Sequence, residues 1–183
     1  MFENQLQPWL KALKSGQVAA APAEGVYGYV ADPFDGGALE KLLALKQRSP
    51  SKGLIVLIPN LENLNHLCPR NLPVAAQIAV SAYWGGAQSS PVTLILPALK
   101  SLPETLTGGK GTVAVRCPAM PYMQEYLQAW GGPLVSTSLN ISGEAPATSA
   151  SQVPQGIAAL TLPQPLSGMP SRIFDTQTNS WLR

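Results

Sequence analysis

GGALEKLLALKQRSPSKGLIVLI, residues 36–58, is the stretch on which the fold class turns. Leu39, Leu42, Leu43 and Leu45 recur at helical spacing, so its first half reads as a helix with one apolar face. After a turn of Ser, Pro and Gly, GLIVLI (53–58) is apolar without alternation, which marks a strand covered on both faces. A helix followed at once by a doubly buried strand belongs to a sheet with helices packed against it.

The pattern repeats along the chain. FENQLQPWLKALKSG places Phe2, Leu6, Leu10 and Leu13 on one helical face and stops at Gly16, and QVAAA after it reads as a short strand. PVAAQIAVSAYW is a helix starting at Pro73. The strands PVTLIL and GTVAVR, the helix MPYMQEYLQAWGG closing on glycine, and the strand PLVSTS follow. The class is α/β, with helices packed on a largely buried, twisted sheet. The 18 prolines punctuate rather than repeat, and neither an internal repeat nor a linker is visible, so residues 1–183 are expected to form one domain.

Composition narrows the function. With 45% apolar and 12% charged residues the chain has enough apolar material for a full core, which argues against disorder. No apolar run approaches a bilayer span and the first residues lack the order of a secretory signal, so a cytoplasmic protein with no membrane role is expected. Two cysteines and the single His66 cannot build a disulfide framework or a zinc cluster, and no metal site is expected. His66 reads as a loop histidine, Cys117 as a small core residue, and Trp9, Trp130 and Trp181 as packing. A net charge of +2 makes any anion binding local.

The familiar nucleotide and hydrolase signatures are missing: no Gly-rich loop ending in Lys-Ser or Lys-Thr, no G-x-G-x-x-G after a strand, no G-x-S-x-G. What remains lies at the ends of predicted elements. LALKQRSPSKG concentrates Lys46, Arg48 and Lys52 within seven residues. Cations there complement a helix C-terminus, and they equally suit a polyphosphate leaving group. In PLVSTSLNISGEAPATSA (133–150), Ser136, Ser138 and Asn140 fall on one face of an extended segment, either closing a turn or forming a neutral hydrogen-bonding cradle. Arg116 leaves an otherwise apolar strand and calls for a carboxylate, from the protein or from a substrate.

PAEGVYGYVADPFD, LKQRSPSKGLIVLI, GTVAVRCP and PLVSTSLNISGEAPATSASQV, in this order and followed by PSRIFDTQTNSWLR, resemble the successive signatures of the YrdC-type threonylcarbamoyl-AMP synthases. The resemblance spans nearly the whole chain. It implies a YrdC-like, twisted open mixed sheet and an ATP-dependent reaction of L-threonine with bicarbonate that yields threonylcarbamoyl-AMP and pyrophosphate for tRNA modification. By that resemblance Lys46 and Arg48 serve catalysis, and Lys46, Arg48 and Lys52 face the triphosphate. Thr112, Ser138, Asn140 and Arg183 hold nucleotide. Arg116, Ser136, Ser171 and Ala23 line the amino-acid side. Magnesium arrives with ATP, and a downstream threonylcarbamoyl transferase takes the product. Three positions differ from the family pattern: Ala23 stands for the threonine of P-T-E, YWGGAQSSPVTL replaces W-P-G-P-x-T, and Met120 stands where a histidine is common. A diverged member that binds nucleotide or RNA without the synthase activity is the alternative. Direct tRNA contact is a further reading, although Tyr27, Tyr29, Tyr83 and Trp84 read as core or cleft wall rather than stacking platforms.

Overall fold

The computed structural model describes residues 1–85 and 91–183. The altered loop between Trp84 and Pro91 therefore falls largely outside the described residues.

Eight strands form one sheet: β1 (Ala19–Pro22), β2 (Tyr27–Ala31), β3 (Ile55–Leu57), β4 (Val92–Pro97), β5 (Thr112–Arg116), β6 (Leu134–Ser138), β7 (Arg172–Asp175) and β8 (Ser180–Trp181). Their spatial order is β1-β2-β6-β3-β5-β4-β7-β8. The β3/β5 and β4/β7 pairs are parallel and the others antiparallel, so the sheet is open and mixed, as expected. The helices are α1 (Glu3–Lys14), α2 (Gly36–Lys46), α3 (Val74–Trp84), α4 (Glu104–Thr107) and α5 (Pro121–Trp130). β2, β7, β8 and α4 have no counterpart in the sequence reading. β7 is four residues with a charge at each end, and its strand character comes from pairing with β4, about eighty residues earlier.

Local chemistry sets the helix ends. The Asp35 carboxylate accepts from the Ala38 N–H at 3.0 Å and caps α2, whose leucines 39, 42 and 43 are buried. α5 starts on Pro121 and ends at Gly131, which takes φ 87°, a left-handed conformation that glycine adopts without a Cβ clash.

The two faces of the sheet are covered unequally, and that inequality creates the site. One face carries Tyr29, Ala31, Val56, Leu94, Leu96, Val113, Val115 and Val135, packed with the leucines of α2 and with Leu106 of α4. Each fully buried Leu or Val side chain among them contributes about 1.5–3 kcal/mol. On the other face, Ala19, Ala21, Val30, Leu57 and Leu134 lie under α1 and α5, where the Trp9 and Tyr126 rings pack tilted with centroids 5.6 Å apart and the Trp9 indole donates to the Ala20 carbonyl at 2.9 Å. α1 and α5 stop short of the rest of that face. There the strands present the small or polar Gly28, Ser136, Ser138, Ala114 and Thr112 beside the half-buried Ile55, Ile95 and Ile173, and the floor that the helices leave uncovered is a cleft.

Candidate active site

The cleft encloses about 620 Å³, within the range of small-ligand sites. Thr112, Ala114 and Arg116 project into it from β5, Ser136 and Ser138 from β6, and Ile173 and Asp175 from β7. Arg48, Lys52, Lys110, Arg116 and Arg183 line it, five of the chain's twelve cations, against Asp175 as the one acid among the lining residues. A chain of small net charge thus concentrates a positive field in one low-dielectric hollow. A second concavity, beside α1 and α2, is lined mainly by apolar residues such as Val18, Leu45 and Ile157.

At one pole, Arg116 is buried and its guanidinium pairs with Glu24. The ion pair uses Arg116 Nη2 and Glu24 Oε1, while the buried Glu24 Oε2 and Arg116 Nε have no hydrogen-bond partner among the described residues, so this pair has capacity for a further polar ligand. Ser171 stands beside it, its hydroxyl 3.0 Å from Thr93 Oγ1, and the Arg183 Nε donates to the Ser171 carbonyl at 3.0 Å. Burial, and secondarily Arg116, pulls the Arg183 guanidinium below its usual pKa. Ala23 also lines the cleft, and its carbonyl accepts from the Tyr122 hydroxyl at 2.9 Å. Burial, then Glu24, pushes that phenol up to about 12, so Tyr122 acts as a fixed donor. The sequence left open whether Arg116 meets a protein acid or a substrate. In the structure it meets Glu24.

At the opposite pole, Lys52 and Arg48 flank the loop that ends α2. The Arg48 Nη2 donates to the Gly53 carbonyl at 3.0 Å, its Nε is buried without a partner, and burial lowers its pKa.

Lys46 corrects the expectation that it faces the triphosphate. Its side chain is 1% exposed and is absent from the cleft lining. The ammonium turns inward and donates to the Ser138 carbonyl, to the Asn140 carbonyl at 3.0 Å and to Asn140 Oδ1 at 2.7 Å, with Ser138 Oγ at 3.3 Å. The physical reason lies in the last turn of α2, which packs on the segment after β6 and supplies four oxygens where water cannot reach. Burial, reinforced by Arg48, pushes Lys46 down to about 8. Ser138 Oγ donates to Asn140 Oδ1 at 2.7 Å and Asn140 Nδ2 donates to the Glu144 carbonyl at 2.6 Å, which is the turn-closing arrangement. The residues close a turn, and the same turn lines the cleft.

Apart from Lys46, every predicted site residue reaches this one hollow: Ala23, Arg48, Lys52, Thr112, Arg116, Ser136, Ser138, Asn140, Ser171 and Arg183. Met120 caps α5 at the surface and is absent from the lining. Lys110 and Asp175 line the cleft without having been singled out. The signal for Lys110 was present in TGGKGT, a lysine among three glycines. Asp175 had none, because its strand is visible only in the tertiary structure. Trp181 is half-exposed, with the Arg172 guanidinium 3.6 Å from its ring centroid. His66 is an exposed residue at the end of a 3₁₀ helix. Among the described residues no three His, Cys, Asp or Glu gather to hold a metal, and no helix is long and apolar enough to cross a membrane.

Residues 11–182 match the Sua5/YciO/YrdC family model, described as "Telomere recombination". A Threonylcarbamoyl-AMP synthase of Psychromonas ingrahamii is 36% identical over 99% of this chain and 97% of that protein. One of Stenotrophomonas maltophilia is 42% identical over 80% of this chain and 77% of its own. P. abyssi Sua5, solved with L-threonine, superposes with a TM-score of 0.81 at 30% identity, covering 93% of this chain and 50% of that one, so the chain spans about half the length of that protein. E. coli YciO, at 20% identity and a TM-score of 0.76 over 96% of this chain and 84% of that one, shares the fold. A sheet half uncovered to form a basic cleft, the order of its motifs and these matches together place the chain in the Sua5/YciO/YrdC family.

Proposed function

We propose that residues 1–183 act as one unit that makes L-threonylcarbamoyladenylate from L-threonine, bicarbonate and ATP. The reading rests on one observation above the rest, the division of a single cleft into a buried arginine–carboxylate pole and a cation pole, joined by a neutral floor of hydroxyls and an amide. Relatives named as this synthase, and a solved relative with L-threonine bound, support the choice of substrate.

Arg116 takes the threonine carboxylate, with Glu24 holding the guanidinium in place. The threonine amine and bicarbonate give a carbamate and water. A carbamate oxygen then attacks the α-phosphorus, forming the new P–O bond as the bond to the β-phosphate oxygen breaks, and pyrophosphate departs with the electron pair. No protein nucleophile is needed, because positioning and charge stabilisation carry the step. Ser138, Asn140 and Thr112 hold the nucleotide without opposing charge, while Arg48 and Lys52 stabilise the negative charge gathering on the leaving group. The donor set fits a magnesium ion carried in on phosphate oxygens and water, since Asp175 is the one acid lining the cleft and its Oδ1 already accepts from the Gln177 N–H at 2.8 Å.

The test is pyrophosphate release by purified protein with ATP, magnesium and bicarbonate, with and without L-threonine. Release that requires both threonine and bicarbonate is expected. ATP binding without threonine-dependent release refutes the synthase reading and leaves the diverged nucleotide-binding member, with Ala23→Thr as the first change to restore activity.

A further inference from the structure

The glycine-rich turn Gly108–Gly111 precedes the nucleotide-facing Thr112, and its one charged residue, Lys110, lines the same cleft. Two backbone devices put it there. Leu54 N–H donates to the Leu106 carbonyl at 2.9 Å, and Gly53 and Gly108 take φ 62° and 67°. A Cβ on Gly108 would sit 2.6 Å from the Ser51 carbonyl oxygen, so only glycine lets this loop lie against the loop carrying Lys52. Gly109 and Gly111, also left-handed at 72° and 63°, then turn the chain so that Lys110 stands exposed at the cleft mouth before β5 begins. Neither salt bridge among the described residues involves Arg48, Lys52 or Lys110, and residues 86–90 carry no charge that could pair with them.

The direction of the reaction gives this arrangement a use. Thr112 and Arg116 occupy the two ends of β5, four residue steps or roughly 13 Å apart. Phosphoryl-type displacement places attacking and leaving oxygens in line. With the amino acid at Arg116, the leaving group must point away from it, along β5 toward its first residue. The side chains waiting there are Arg48, Lys52 and Lys110.

We propose that Lys110 is a third phosphate-binding cation of this site, contacting the part of ATP that departs as pyrophosphate and so selecting the triphosphate over the monophosphate. This rests on the proposed ATP-dependent reading. Its test measures dissociation constants for ATP, AMP and inorganic tripolyphosphate by calorimetry, in the wild type, Lys110→Ala and Lys110→Arg. Lys110→Ala is expected to weaken ATP and tripolyphosphate about tenfold, the effect of one charge-assisted contact, to leave AMP within about twofold, and to keep the melting temperature; Lys110→Arg restores both. Equal losses for AMP and ATP, or unchanged binding of all three, overturn the proposal while wild-type ATP binding leaves the site reading standing. A wild type that binds neither ATP nor tripolyphosphate overturns both. If the alanine variant melts early, Lys110→Gln carries the same comparison.

Discussion

Lys46→Met is the sharpest test of the structure, because the sequence and the tertiary contacts make opposite forecasts. As a phosphate ligand, Lys46 could be removed with the fold intact. As a buried strut, it could not. An ammonium has three hydrogens, so it satisfies three of its four surrounding oxygens at once, the longest contact, to Ser138 Oγ at 3.3 Å, being the one left over. Bonds from a charged donor contribute about 1.5–3 kcal/mol each, and removing the ammonium from water takes back several kcal/mol of that sum. Methionine keeps the volume and leaves the Ser138 and Asn140 acceptors unpaired, so a net loss on the order of 2–4 kcal/mol is expected. For a chain of this size that lowers the melting temperature by about 5–15 °C. Thermal unfolding followed by circular dichroism, with ATP titration of the folded variant, reads both effects. ATP binding should weaken as a secondary result, since the Ser138–Asn140 turn loses its anchor. A melting temperature within about 2 °C of wild type, together with lost ATP affinity, would refute the reasoning and return Lys46 to the phosphates.

Arg48→Ala should do the reverse, weakening ATP by about 1.5–3 kcal/mol, the range for bonds to charged groups, with little change in melting; calorimetry decides. Glu24→Ala leaves the Arg116 charge buried without its partner and should cost about 3 kcal/mol of stability, measurable by urea unfolding, whereas equal stability would show the pair to be dispensable. Because Lys46 is pushed down to about 8, raising pH through that value should discharge it and loosen the nucleotide cradle, a dependence absent from Lys46→Met. The unfolded chain keeps this proton to the ordinary lysine value of about 10.4, so the same group should make folding stability rise with pH between those two limits.

Local order was legible in the residues themselves. Leucine spacing identified α2, the unbroken apolar run identified β3, and the glycine after Trp130 marked the end of α5, because helix periodicity and chain termination are properties of neighbours in sequence. The cations after α2 and the hydroxyls of β6 were visible as a charge concentration and as an excess of small polar residues. Which way each side chain points was not, since direction depends on what a distant segment places opposite. Lys46 and Arg48 are two residues apart in one cationic run, yet packing against residues 138–140 turns the first into the interior and leaves the second on the cleft. Asp175 enters the site only because β7 pairs with β4, and Lys110 only because two glycines let two loops touch. Sequence composition supplied the functional groups. The uneven cover of the sheet decided where they meet, because α1 and α5 gain their burial over Ala19, Ala21, Val30, Leu57 and Leu134 and leave the rest of that face open.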